Sequence, residues 1–84
     1  MYEENDKTSI AKKYYSFSMA YAALSFEAQS KIRKEISESL GITERSFRLK
    51  MSGDVGCTIE QISVIREIFK KYNLEKVFNY EYIN

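Results

Sequence analysis

The sequence predicts an all-α domain, a compact bundle of four to five helices ending in a short extended tail. Three observations predict it. The 84 residues include no Pro and only three Gly, which favours long helices over a turn-rich β fold. Apolar residues recur three and four apart along most of the chain. Good N-cap residues and a stop glycine punctuate those runs. The length is that of one domain, so 1–84 is read as a single unit, and 44% apolar content suffices for a core of modest stability.

Residues 1–7 carry Glu3, Glu4 and Asp6 with almost nothing apolar after Tyr2, and are expected to be a disordered tail. From Thr8, Ile10, Tyr14, Phe17, Tyr21 and Leu24 form one continuous helical stripe, broadened by Ala11, Tyr15, Met19 and Ala22. Aromatic residues at this spacing are read as core. Ser25 caps a second helix that runs to Leu40, with Ala28, Ile32, Ile36 and Leu40 on its buried side and Lys31, Lys34, Glu35 and Glu38 facing water. Gly41 stops it.

Thr43 caps a short third helix, Glu44 to Met51, whose apolar edge is only Phe47 and Met51; Leu49 lies off that edge. Residues 52–56 form a loop. Thr58 caps a fourth helix with a capping-box pattern in Glu60 and Gln61 and a stripe of Ile59, Ile62, Ile65, Ile68 or Phe69, and Tyr72. Asn73 ends it and is expected to cap a last short helix, Leu74–Phe78. The tail 79–84 alternates Tyr80, Tyr82 and Asn84 against Glu81 and Ile83, a pattern suited to an extended strand or a loose end.

The stretch 33–52 carries the functional information. Ile36 and Leu40 point into the core from the first of two helices, and Gly41 permits a sharp turn. Ile42 plugs the corner, Phe47 and Met51 anchor the second helix, and Ser37 is small where the helices come closest. This is a helix-turn-helix arrangement whose second helix projects a nearly bare polar face. Two exposed arginines alone are more often a solvated face. Their place on a helix with two apolar anchors favours a reading surface.

The run IRKEISESLGITERSFRLKMSGDVGCTIEQISVIREIF resembles the phage Cro and lambda-repressor-like helix-turn-helix family. Leu40-Gly41-Ile42-Thr43, Phe47, Lys50-Met51-Ser52-Gly53 and Thr58–Ile62 carry the resemblance, which extends over about 28–72. Cys57 stands where that family usually has an aromatic residue, and the aromatic first helix is longer than the family's. The resemblance implies sequence-specific double-stranded DNA binding by a small transcriptional regulator or repressor, bacterial or phage-encoded and cytoplasmic. It places the helix Glu44–Met51 in the major groove. Glu44, Arg45, Arg48 and Leu49 would then face base edges, Glu44 either accepting from a cytosine amine or orienting Arg48, and Lys31, Arg33, Lys34, Thr43, Lys50 and Ser52 would hold phosphates. A homodimer is expected, through Tyr80 and Tyr82 or through Tyr15 and Met19. The competing reading is a helix-turn-helix scaffold used as a protein-interaction module, a phage or polymerase-associated adaptor. It draws on the near-neutral charge, on Glu44 in the reading face, and on the seven Tyr and five Phe.

Other classes find less support. The absence of His leaves Ser16, Ser18, Ser25 and Ser30 without an activating base, so they are read as caps and helix surface, and no enzyme is expected. Cys57, the single cysteine, cannot form an internal disulfide and is read as a small hydrophobe. Asp54 beside two glycines is a turn residue; no metal, cofactor or small-molecule ligand is expected. No run approaches the ~18 apolar residues of a membrane span. The 13 basic and 12 acidic residues divide unevenly: 31–50 holds six basic and three acidic, a local +3. That mild excess predicts weak non-specific affinity for nucleic acid.

Overall fold

A computed structural model describes residues 15–83, and among them every regular element is helical. The expected tail 1–7, the Ile10, Ala11 and Tyr14 part of the first stripe, and Asn84 lie outside the described residues. The elements are α1 (Ser18–Ala22), α2 (Phe26–Leu40), α3 (Glu44–Ser52), α4 (Ile59–Lys70) and α5 (Tyr80–Ile83).

Three of these helices start where the sequence places a cap. Ser25 Oγ accepts from Ala28 N–H, Thr43 Oγ1 from Ser46 N–H, and Thr58 forms a reciprocal capping box with Gln61. Three reversals end them. Gly41 and Gly53 sit at φ of 65° and 91°, and Asn73 at 65°. In each, the next N–H reaches back five residues: Ile42 to Ser37, Asp54 to Leu49, Leu74 to Phe69. This closing bond satisfies carbonyls that a helix end otherwise leaves bare.

The core is Phe17, Ala20, Ile32, Ile36, Phe47, Ile65, Ile68, Phe69, Val77 and Phe78, with Leu40, Ile42, Met51, Ile62 and Tyr72 packed around it. Helices α2 and α4 make the largest interhelical contact, and α3 lies against α1 and α2. Phe17 is the hub, meeting Phe47, Phe69 and Phe78 edge-on at ring distances of 5.7, 5.9 and 6.1 Å.

Five expectations are corrected. The stripe expected to be one continuous helix is interrupted at 15–17, and the first helix among the described residues is Ser18–Ala22: Phe17 N–H donates to the Met51 carbonyl, and the Ser16 carbonyl accepts from Asn79 N–H. No helix forms over 74–78. The Val77 and Phe78 N–H groups go to the Glu81 carboxylate instead of to carbonyls four residues back, and both side chains are fully buried. The C-terminal tail is neither extended nor loose but closes into the turn of α5, whose Glu81 carboxylate accepts from Val77 and Phe78 N–H. Ile59, placed on the buried stripe, is 85% exposed at the first position of α4, one turn ahead of the partly buried Ile62. Glu35 is also not simply solvated, since its carboxylate receives Lys71 Nζ from the end of α4.

Candidate nucleic-acid interface

Among the described residues, the apolar anchors of helix α3 lie on one side of it. Phe47 is buried against Phe17 and Tyr21, and Met51 packs on the core rim while its carbonyl takes Phe17 N–H at 3.0 Å. Leu49 is half-buried and outside the core cluster. Glu44, Arg45 and Arg48 all stand exposed on the remaining face. A nine-residue helix with one fully buried side chain presents polar groups by construction.

The preceding turn has the predicted form. Gly41 closes α2 in the left-handed conformation, and a Cβ built there meets nothing within 4 Å, so the need for glycine is set by the backbone rather than by crowding. Ile42 and Leu40 pack on the core edge. Ser37 Oγ is buried with no hydrogen-bond partner among the described residues. Beside it opens a cleft of about 430 Å3 between α2 and α3, lined by Ser30, Arg33, Lys34, Ser37, Glu38 and Glu44.

The charged residues separate into two kinds. One carboxylate oxygen of Glu44 meets Arg48 Nη2 at 3.0 Å, one turn along α3, and Arg33 Nε of α2 at 3.4 Å. Arg33 Nη1 also donates to the Tyr21 hydroxyl at 3.2 Å, which donates to the Gln29 carbonyl. Arg33 is therefore a brace between α1, α2 and α3. Lys50, placed among the phosphate contacts by sequence, turns inward to the Gly56 carbonyl at 2.9 Å and Gln61 Oε1 at 3.1 Å. It ties the end of α3 to the capping box of α4. Ser52 Oγ lies within bonding distance of the Leu49 carbonyl and Asp54, and Thr43 Oγ1 serves as the α3 cap. By contrast, Lys31, Lys34 and Arg45 are exposed and have no acceptor among the described residues. They form the unengaged cationic part of the surface.

The structure thus brings Glu44, Arg45, Arg48, Thr43, Arg33 and Lys34 onto the α2–α3 surface and withdraws Lys50. Sequence reasoning missed the Tyr21–Arg33–Glu44 link, because Tyr21 and Glu44 are 23 positions apart and only packing brings them to one cation. Compared with protein-family models, with curated proteins and with solved structures, the chain matches none. The helix-turn-helix reading accordingly rests on the residues of 28–72 and on this geometry.

Other groups are accounted for within the fold. Cys57 is half-buried against the core, and burial pushes its thiol pKa up while the nearby Lys50 charge pulls it down. Among the described residues no cluster of His, Cys, Asp and Glu could hold a metal ion. No helix there is long and apolar enough to cross a membrane.

Proposed function

We propose that this chain binds double-stranded DNA sequence-specifically as a small cytoplasmic transcriptional regulator, with α3 entering the major groove. The observation that carries this is the one-sided anchoring of α3: Phe47 fixes it, while Glu44, Arg45 and Arg48 project from its free face. Lys34 on α2, with the Thr43 hydroxyl at the α3 start, flanks that face, Lys31 lies about one turn further back along α2, and all three suit phosphate oxygens. Arg48 and Arg45 have the planar fork that pairs with guanine O6 and N7.

Selection of bound sequences from a random duplex pool tests the reading. Enrichment of a palindrome with half-sites about one helical turn apart is expected of a two-fold dimer. If three unengaged cations each neutralise a phosphate, the log–log salt slope is about −3 per subunit. No enrichment together with a flat salt response would sink the proposal.

The protein-interaction reading draws on a separate observation. Phe26 is 90% exposed and Ile59 85%, each at the first position of its helix. Exposed apolar residues of this size suit an apolar partner surface. For the homodimer, the surfaces named from sequence differ in what they offer. Tyr80 packs on Tyr15 and Phe78, and the Tyr82 hydroxyl donates to the Lys76 carbonyl, so both are engaged within their own chain. Met19, 46% exposed, is the more open candidate.

A further inference from the structure

We infer that Glu44 is a specificity-determining positioning residue, which holds Arg48 for a guanine edge and at the same time weakens binding to DNA of any other sequence. The inference rests on the DNA-binding reading above and concerns how that surface discriminates. One oxygen of the Glu44 carboxylate takes Arg48 Nη2 and Arg33 Nε together. Arg33 is itself fixed through the Tyr21 hydroxyl to the Gln29 carbonyl. The exposed Arg48 side chain is therefore tied, through one acid, to the packed part of the molecule. A long side chain held in one orientation loses less rotamer freedom when it meets a base. Arg48 has five donor hydrogens, and a hydrogen bond to Glu44 uses one on Nη2. The remaining pair across Nη1 and Nη2 still matches guanine O6 and N7.

The same carboxylate has a second consequence. It places a negative charge between Arg33 and Arg48, on the surface that would approach the phosphates. That charge opposes backbone attraction equally for every sequence, whereas the ordering of Arg48 helps only where a guanine is met. Removing Glu44 should consequently move the two affinities in opposite directions. A residue that merely supports the fold, or that merely repels DNA, would move both the same way.

The test uses the full chain and two duplexes: one enriched by selection and one scrambled. Dissociation constants are measured at fixed salt for wild type, Glu44→Gln, Glu44→Ala, Arg48→Ala and the Glu44→Ala/Arg48→Ala double variant. With Glu44→Ala, affinity for the scrambled duplex is expected to rise about threefold. Preference for guanine at the position relaxed by Arg48→Ala is expected to fall about tenfold, and the double variant should lose little more at that position. Glu44→Gln keeps an acceptor without the charge, so it should share the rise for scrambled DNA and keep part of the guanine preference. Equal changes on both duplexes overturn the inference. So does lost discrimination at a cytosine that Arg48→Ala leaves untouched, which would mark Glu44 as a direct base contact. If wild type binds neither duplex, the DNA-binding reading itself fails, an outcome distinct from the other two.

Discussion

Arg66 and Glu81 lock the C-terminal turn onto α4. Arg66 Nη2 lies 3.0 Å from one Glu81 oxygen and Nη1 3.2 Å from the other, a two-pronged pairing of guanidinium and carboxylate. The guanidinium also sits 5.3 Å from the centre of the buried Phe78 ring and donates to the Tyr80 hydroxyl. The expectation that 79–84 would be extended or loose fails for this reason. Glu81 meets a charge on α4, and α5 is ordered by that meeting rather than by its own helical propensity.

The pairing predicts an acid-sensitive fold. Burial alone would raise the Glu81 pKa. Hydrogen bonds from Arg66 and from Phe78 and Val77 N–H, together with the Arg66 charge, outweigh burial and hold it below the ordinary value of 4.5. A carboxyl depressed in the folded state contributes its stability above the unfolded pKa and loses it as pH falls through the folded one. Urea unfolding of wild type should therefore show stability declining as pH drops below about 4.5, and Glu81→Gln should flatten that decline. Parallel pH profiles for the two proteins would contradict the assignment. At neutral pH, Glu81→Ala should cost roughly 1–3 kcal/mol, as expected for losing charge-assisted hydrogen bonds at a partly buried site.

Asn79 joins the two ends of the described chain. Its Oδ1 accepts Met19 N–H at 3.1 Å and its Nδ2 reaches the hydroxyls of Ser16 and Ser18. Phe17, the N-cap residue of α1, offers no side-chain acceptor, so Asn79 caps that helix from 60 residues away. Asn79→Ala should destabilise by about 1–2 kcal/mol. Amide exchange at Met19 should accelerate more than the global change in stability explains, whereas a purely global effect would remove the capping role.

Gly41→Ala should cost about 1–2 kcal/mol, the penalty of a left-handed backbone for a residue with a Cβ. The space around that Cβ is empty, so Gly41→Asn, which tolerates the same φ, should recover most of the loss in thermal melts. Equal losses for both variants would point to crowding, against the geometry.

Lys50 and Lys34 should separate cleanly. Lys34→Ala is expected to weaken binding to all duplexes alike and make the salt slope shallower by about one, with an unchanged melting temperature. Lys50→Met breaks two hydrogen bonds to Gly56 and Gln61, so it should lower stability by roughly 0.5–1.5 kcal/mol and shift the salt slope less. A larger salt effect from Lys50 than from Lys34 would restore Lys50 to the phosphate contacts.

What the sequence determined by itself was local. Ser25, Thr43 and Thr58 start their helices because a side-chain oxygen within three residues can take a free N–H. Gly41 ends α2 because a glycine adopts its positive φ with no Cβ penalty. The spacing of Ile32, Ile36, Phe47, Ile65 and Phe69 specified which faces meet. The tertiary structure decided whatever depended on partners distant in sequence. Phe17 leaves the helical path because Met51 supplies an acceptor, and Asn79 supplies a cap for α1. Lys50 turns from solvent because Gly56 and Gln61 lie within reach. Glu44 is a brace rather than a free acceptor because packing brings Arg33 beside it. Periodicity and capping act over one helical turn, so they can be read along the chain. A charged side chain on the surface takes whichever partner the packed helices bring within about 3 Å, and no spacing rule encodes that choice.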